Sequence, residues 1–299
     1  MRQNGDSLTD TEQATSGICA RFLAPVLAAT FLLWGCGPQL EQPLRICPGA
    51  GSAQAVLGRL RSYGDSAVSF RGNGQCRLEY YVEDKPDKEN FPVKLWFLPP
   101  CSIRMQGDVA FNPRGLELGS NEREFWLAIR PKEISTYWWG KWSQQTACEG
   151  LILSPKVLVE ALGVVEVASE AGWALSTEGP FDVLTESGDN GRLIKRVYVY
   201  NCDHRVRKIE YFDGGGAVTT TCELRKYEKV TNEFHVPTVI EVTAHRADGK
   251  HDSVRMSLQS VRVADFSEKQ RHGLFSRRPP RGFSRVVQVV EGRFIEQKP

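Results

Sequence analysis

Alternation of apolar and polar residues is the strongest pattern in this chain. Between Val68 and Val82 the apolar side chains fall on every second position through most of the segment, and polar side chains occupy the positions between them. A period of two is typical of a strand with one buried face. Gly72 and Gly74 lie inside the segment and would let a long strand bend.

The same criterion predicts further strands along the rest of the chain, separated by short turns. They are expected at residues 93–98, 103–105, 124–129, 134–139, 193–200, 205–212, 217–230, 236–245, 253–263 and 283–290. The polar segment 83–90 contains Pro86 and is predicted to interrupt the sheet. Asp203-His204, residues 213–216 and residues 247–249 are predicted turns.

Two segments have the helical period instead. In residues 52–63 the residues Val56, Leu57 and Leu60 share one stripe. The second segment lies between Ser154 and Gly163. Ser154 and Pro155 are typical of the start of a helix, and Gly163 is typical of its end. Two helices among many strands indicate an α+β fold, mostly antiparallel β, built as one large curved sheet or open barrel.

Composition and charge narrow the class of protein. The 299 residues are 41% hydrophobic and 25% charged with a formal net charge of +2, which is ordinary for a globular domain. No basic stripe accompanies this charge, and Arg277, Arg278 and Arg281 read as a solvated loop around two prolines. We therefore predict no nucleic-acid partner.

An apolar run near the N-terminus predicts export. Residues 22–34 follow Arg21 and are too few to cross a bilayer comfortably, which takes about 20 residues, but they suit the apolar region of a signal peptide. The sequence Leu33-Trp34-Gly35-Cys36 resembles a bacterial lipobox. This resemblance implies cleavage before Cys36 and acylation of that residue, which would anchor the chain in a membrane.

The alternative for this run is a buried helix with an incidental cysteine. The run has no polar face, and Gly37-Pro38 would end a helix directly after it, so we favour the signal peptide. The predicted organisation is a signal peptide at 1–35, a tether at 36–50 and one domain at 51–299. The predicted location is the bacterial cell envelope, facing the periplasm, at the outer membrane rather than the inner one.

Six cysteines follow the anchor. An even number in an exported domain favours disulfides, so most of the six are expected to be paired, with 15 pairings possible. Reduced thiols that pack as small apolar side chains are the alternative. The six are Cys47, Cys76, Cys101, Cys148, Cys202 and Cys222.

The motifs of the common enzyme classes are missing from the sequence. It contains no HExxH, GxSxG or GxxxxGK[ST] pattern, and its glycine clusters do not open helices. His245 and His251 flank a predicted turn without a carboxylate partner, which makes a poor metal site. We predict no catalytic residue, no metal and no cofactor.

Aromatic residues are unusually dense between residues 96 and 142. Neighbours in a strand point to opposite faces, so Trp138 and Trp139 cannot both fill one core. One interpretation is a core aromatic plus one covered by a loop. The other is an apolar cavity whose walls bind acyl chains. The candidate ligand-binding residues are Trp96, Trp126, Trp138, Trp139 and Trp142.

A family resemblance extends over roughly residues 50–295. A short helix precedes the long strand, residues 93–97 lead into Pro99-Pro100, and Phe125-Trp126-Leu127 comes before Arg130-Pro131. The hairpin at residues 207–213 then leads into a strand through Tyr227. Together these features resemble the LolA/LolB-like outer-membrane lipoprotein-sorting group.

The resemblance implies an unclosed antiparallel β-barrel with a few helices covering its mouth. It also implies an apolar interior that binds lipid or lipoprotein acyl chains without catalysis. The soluble carrier of the group has no lipid anchor, so this chain is nearer to the membrane-bound receptor. A scaffold lipoprotein that binds another protein on an exposed edge is the alternative function. The sequence leaves the oligomeric state open.

Overall fold

The alternating segments form one continuous sheet. The computed structural model describes residues 44–299 except 83, 110–111, 132–133, 145–153, 168–170, 189, 292 and 298–299. Within these residues 15 strands are ordered β15-β14-β6-β5-β4-β3-β2-β1-β13-β12-β11-β10-β9-β8-β7. Among the adjacent strand pairs, β6 and β14 are parallel and the others antiparallel. The sheet has two edges, β15 and β7, and is therefore an unclosed curved sheet, as predicted.

The first strands are β1 (Phe70–Val82), β2 (Lys85–Leu98), β3 (Ser102–Val109), β4 (Asn112–Ser120), β5 (Glu124–Ile129), β6 (Thr136–Lys141), β7 (Trp173–Glu178) and β8 (Phe181–Ser187). The others are β9 (Leu193–Tyr200), β10 (Val206–Phe212), β11 (Val218–Lys229), β12 (His235–His245), β13 (His251–Val263), β14 (Arg285–Val290) and β15 (Arg293–Gln297). The helices are α1 (Ala53–Asp65), α2 (Pro155–Glu160) and α3 (Glu268–Phe275), and a 3-10 turn covers Trp142–Gln144.

The prediction that residues 83–90 interrupt the sheet is wrong for most of this segment. Residues from Lys85 onwards belong to β2, where Lys85 pairs with Val82 and Pro86 with Tyr81. This end of the hairpin is largely exposed to solvent. Apolar residues are therefore not needed on either face, and the alternation that identifies a half-buried strand is missing.

Five elements have no counterpart among the predictions, namely β4, β7, β8, β15 and α3. Strand β7 is mostly exposed and has little apolar periodicity. Helix α3 carries a signal that could have identified it, because Ser267 and Gln270 form a capping box at its start. It adds a third helix to the two that the sequence predicts.

Two of the helices lie on the same face of the sheet. Ser52 caps α1 by accepting a hydrogen bond from the backbone of Ala55. Val56, Leu57 and Leu60 then pack into the same apolar cluster as Leu158 and Val159 of α2 and one face of the strands. We call this face the inner face and the opposite one the outer face.

The C-terminal part of the chain covers the outer face of β3–β6. Arg104 of β3 donates to the backbone carbonyls of Gly273 and Leu274 at the end of α3, and it pairs with Glu117 of β4 at 2.8 Å. Arg104 is almost completely buried. The outer face therefore has a packed layer of its own on this half of the sheet.

Of the five cysteines among the described residues, two form a disulfide and three are free. Cys47 and Cys202 form a disulfide. Cys76, Cys101 and Cys222 are free, so the expectation that most of the six are paired is wrong. Cys76 and Cys222 lie in the inner-face cluster, where a thiol packs as a small apolar group. Cys148 lies outside the described residues.

Candidate functional site

The inner face is apolar over most of its width. Buried aliphatic and aromatic side chains follow one another across neighbouring strands because alternate positions of each strand point the same way. Representative members are Phe70, Phe91, Val93, Leu95, Phe97, Ile103, Met105, Leu116, Leu118, Leu127, Val197, Val199, Ile240, Val242, Val254, Met256 and Leu258. These side chains form the main apolar core of the sheet.

Trp138 and Trp139 lie on opposite faces of β6, as strand geometry predicts. Trp138 pairs with Leu127 and packs against the inner-face cluster. Trp139 packs against a separate outer-face cluster that includes Trp126 and Phe283. Both indoles are half-buried. Trp138 is thus the member of the pair that lies on the inner face.

Three of the five candidate tryptophans share one row on the outer face. Trp96 is paired with Arg104, Arg104 with Gly119, and Gly119 with Trp126, which in turn faces Trp139. Trp126 is fully buried in this row, and its indole N–H has no hydrogen-bond partner among the described residues. Arg277 covers the Trp139 ring at 4.2 Å from its centroid.

Trp142 lies in the 3-10 turn after β6. Its ring is 4.6 Å from that of Phe125, and its Nε1 donates to the carbonyl of Asn121 at 2.8 Å. These contacts fix the end of β6. The structure therefore does not bring the five tryptophans together around a single space.

A buried ion pair attaches α2 to the inner face, and the sequence analysis did not identify it. Lys195 of β9 donates to Glu160 at 2.8 Å and to the carbonyl of Glu166 at 3.2 Å, and Glu186 lies 3.5 Å from the same ammonium group. Tyr211 of β10 donates to the second oxygen of Glu160. A charged network thus lies within an otherwise apolar surface.

Electrostatics keep Glu160 ionised. Its complete burial disfavours the charged form, but Lys195, Lys156 and the hydrogen bonds from Lys195 and Tyr211 outweigh burial and hold its pKa below the usual value. Burial and the charge of Glu160 raise the pKa of Tyr211 well above its ordinary value. The carboxylate is therefore a permanent partner for the ammonium group at neutral pH.

Between α1 and the β9–β10 turn there is a small cleft. It is lined by Leu60, Tyr63, Gly163, His204, Arg205, Val206 and Tyr227, and it has no room for a water molecule. The Arg205 and Arg207 guanidinium groups both lie over the Tyr227 ring, at 5.4 and 4.9 Å from its centroid. The cleft is thus a packed contact rather than a ligand site.

Metal-ligating side chains are dispersed. His245 and His251 face each other across the β12–β13 pair, and the Nε2 of His245 is 3.0 Å from the hydroxyl of Thr221. Throughout the part of the chain that the structure describes, no three His, Cys, Asp or Glu residues could hold a metal ion together.

Several solved structures are similar to this chain. A protein described as an outer membrane lipoprotein-sorting protein domain, from Vibrio parahaemolyticus, matches with a TM-score of 0.51 and 10% identity, over 73% of this chain and 94% of that one. A LolA superfamily protein from Nitrosomonas europaea matches with a TM-score of 0.48 and 16% identity, over 76% of this chain and 99% of that one. A DUF1329 family protein from Desulfovibrio piger has a TM-score of 0.49 and 11% identity, over 74% and 97%.

The chain shares the fold of the outer membrane lipoprotein-sorting protein domain. The expected resemblance to the outer-membrane lipoprotein-sorting group is confirmed at this level. No protein-family model and no curated protein sequence matches the chain.

The predicted anchor, Cys36, lies outside the described residues. Among the residues that are described, no helix has the length and apolar character needed to cross a membrane.

Proposed function

We propose that this chain is an envelope lipoprotein, anchored through acylated Cys36, whose inner sheet face binds the acyl chains of lipids or lipoproteins without catalysis. The observation that carries the proposal is the largely apolar inner face, which extends across the sheet from β5 to β8 and is covered by α1 and α2. The LolA-like fold supports the same assignment.

Acyl chains fit this surface for a physical reason. An extended hydrocarbon chain has no polar groups to satisfy, and burying it contributes roughly 25 cal/mol per Å² of apolar area. The inner-face side chains are already buried against α1, α2 and one another. A ligand therefore needs α2 to move away from the sheet, and the Glu160–Lys195 pair is the contact that this movement breaks. Among the candidate tryptophans, Trp138 is the one that would line the opened space.

The disulfide supports an envelope location. Cys47 and Cys202 are 155 residues apart in the chain. Disulfides persist in oxidising compartments such as the bacterial periplasm and are rare in the cytosol. Together with the lipobox-like sequence, this favours a membrane-anchored domain that faces the periplasm, at the outer membrane.

Mass analysis of material purified from the native host tests the proposal. We expect acyl groups covalently attached at Cys36 and a noncovalent lipid that is released by organic extraction. The Cys36→Ser variant should lose the covalent groups and leave the membrane fraction, while the noncovalent lipid stays bound to the domain. Protein without any extractable lipid, and without affinity for a fatty-acid probe, would contradict acyl-chain binding.

A protein-binding scaffold is the second candidate, and edge strand β15 favours it. Phe294 and Ile295 on this strand are each 49% exposed. An exposed edge with apolar side chains is suited to adding a strand from another chain. If this is the function, Phe294→Ser should abolish partner binding, and fatty-acid probes should not bind at all.

A further inference from the structure

Residues 45–50 are fixed to one end of the sheet, although the sequence assigns them to a tether. Cys47 is covalently joined to Cys202 in the β9–β10 turn. The hydroxyl of Tyr200 donates to the carbonyl of Arg45 at 2.9 Å, and the side-chain amide of Asn201 lies 3.4 Å from the carbonyl of Cys47.

The other end of this segment is held by a buried carboxylate. The backbone N–H of Ala50 lies 3.1 and 3.0 Å from the two oxygens of Asp182, which is 1% exposed. A Cβ at Gly49 would come within 2.7 Å of Asp182 Oδ1, so the backbone passes close to the carboxylate. Both ends of the segment are therefore fixed, and so is the direction in which its side chains point.

The fixed segment presents an apolar side chain to solvent. Ile46 is 73% exposed. Arg45 precedes it and is also exposed. A cationic side chain beside an exposed aliphatic one suits an interfacial membrane contact.

The neighbouring surface is basic. The Nη1 atom of Arg59 on α1 lies 3.1 Å from the Nδ1 atom of His204, which is in the β9–β10 turn. Arg205 and Arg207 follow in sequence, with Asp203 as the acidic residue beside them, 2.5 Å from Arg207. With Arg45, these arginines outnumber two acids, Asp203 and the buried Asp182.

We propose that Arg45, Ile46, Arg59 and His204 form a surface that docks onto an anionic lipid bilayer, and we call it the tether surface. The proposal rests on the proposed anchoring at Cys36. Arg45 is nine positions after Cys36, and a fully extended chain of that length reaches about 30 Å at most. The tether surface can therefore never be far from the membrane that holds the anchor.

The short tether and the surface act together. Linkage by a short chain gives the surface a high effective concentration at the bilayer, so a weak intrinsic affinity is sufficient. Arginine side chains are attracted by anionic head groups, while the aliphatic side chain of Ile46 inserts at the head-group boundary. The rigid attachment of residues 45–50 then sets the orientation of the whole sheet on the membrane.

Fluorescence quenching in vesicles tests the tether surface. The full chain, processed in a bacterial host, is checked for acylation by mass spectrometry. It is then reconstituted into phosphatidylcholine vesicles that contain brominated lipid, with or without phosphatidylglycerol. Ile46→Trp reports contact of the tether surface with lipid, and wild type supplies the background of the native tryptophans. Ala247→Trp is the matched control, because Ala247 is exposed in the turn at the opposite end of the sheet.

We expect strong additional quenching for Ile46→Trp on vesicles with phosphatidylglycerol and none for Ala247→Trp. Adding Arg45→Glu and Arg59→Glu to the Ile46→Trp chain should weaken docking by on the order of tenfold, and salt should weaken it as well. Quenching of Ile46→Trp that does not exceed that of Ala247→Trp would overturn the proposal. So would quenching that is independent of phosphatidylglycerol and of both arginines, or a dimer that Ile46→Trp disrupts.

Failure of the anchor is a separate outcome. If mass spectrometry finds no acyl group on Cys36, the anchoring fails, and the same vesicles are added to the unanchored protein. Quenching of Ile46→Trp above the control would still support the tether surface, and its absence would overturn it.

Discussion

Lys195 in β9 donates a 2.8 Å hydrogen bond to Glu160 of α2, and the two side chains are 5% and 1% exposed. The pair is a direct, buried polar connection between α2 and the inner face of the sheet. A buried ion pair adds little net stability compared with apolar residues of the same size, but removing one partner strands a buried charge. The pair therefore defines where α2 sits when the inner face is closed.

Lys195→Met should destabilise the protein by about 3–5 kcal/mol, because Glu160 would keep its charge without its main partner. The free energy of unfolding in urea measures this. The control is Lys208→Met, which breaks a more exposed pair with Glu210 and should cost about 1 kcal/mol or less. Adding Glu160→Leu to Lys195→Met should restore most of the loss. Equal effects of Lys195→Met and Lys208→Met would contradict this role of the pair.

Stability should fall on acidification, and Glu160 should contribute to the fall. The pKa of Glu160 is lowered in the folded state. Its contribution is therefore fully present above the unfolded pKa of about 4.3 and is lost as the pH falls through the lower folded pKa. Denaturant titrations measure the free energy of unfolding of wild type and of Glu160→Gln. The difference between the two values should become smaller as the pH falls below about 4.3. A difference that becomes larger on acidification would show that the pKa of Glu160 is not lowered in the folded state.

Gly119→Ala and Gly58→Ala should have opposite effects. A Cβ at Gly119 would lie 2.2 Å from a ring carbon of Trp126, whereas a Cβ at Gly58 would meet nothing within 4 Å. Gly119→Ala should cost about 1–3 kcal/mol through overpacking. Gly58→Ala lies in the exposed interior of α1 and should stabilise by about 0.5–1 kcal/mol. Thermal unfolding distinguishes them, and a neutral Gly119→Ala would mean that the outer-face row is loosely packed.

The cysteines should differ sharply in reactivity. Burial raises the pKa of Cys76 to about 12 and raises that of Cys222 as well, whereas Cys101 is only half-buried. In native protein a maleimide should label Cys101 well before Cys76 and Cys222. Non-reducing peptide mapping should recover Cys47 joined to Cys202, and Cys202→Ser should cost about 2–5 kcal/mol. Cys101→Ser is the control and should change stability little. Rapid labelling of Cys76 or Cys222 would contradict their burial.

Local pattern was sufficient for the strands with one buried face. Residues 124–129 and 193–200 were predicted with the bounds that β5 and β9 have. It was insufficient where neither face is buried, as in residues 85–90 and in β7, because exposure removes the periodicity. The sequence also predicted that Trp138 and Trp139 lie on opposite faces of the sheet, because neighbouring residues of a strand point to opposite sides.

The rest of the site depended on contacts between distant parts of the chain. Trp126 is buried on the outer face because the C-terminal residues Phe283 and Val286 pack there. Nothing near Trp126 in sequence indicates this. The Glu160–Lys195 pair likewise joins a helix to a strand that is not its neighbour in the chain. The sequence alone identified the candidate tryptophans, but it did not predict on which face of the sheet each of them lies.

Binding of a fluorescent fatty acid to wild type, Trp138→Ala and Trp139→Ala tests the account most directly. Trp138 packs on the inner face and Trp139 on the outer face. Trp138→Ala should therefore lower the affinity by about 1–3 kcal/mol, the contribution of burying a large apolar side chain. Trp139→Ala should leave the affinity unchanged, and both variants should unfold cooperatively. Absence of saturable binding to wild type, or an equal affinity for all three proteins, would contradict acyl-chain binding on the inner face.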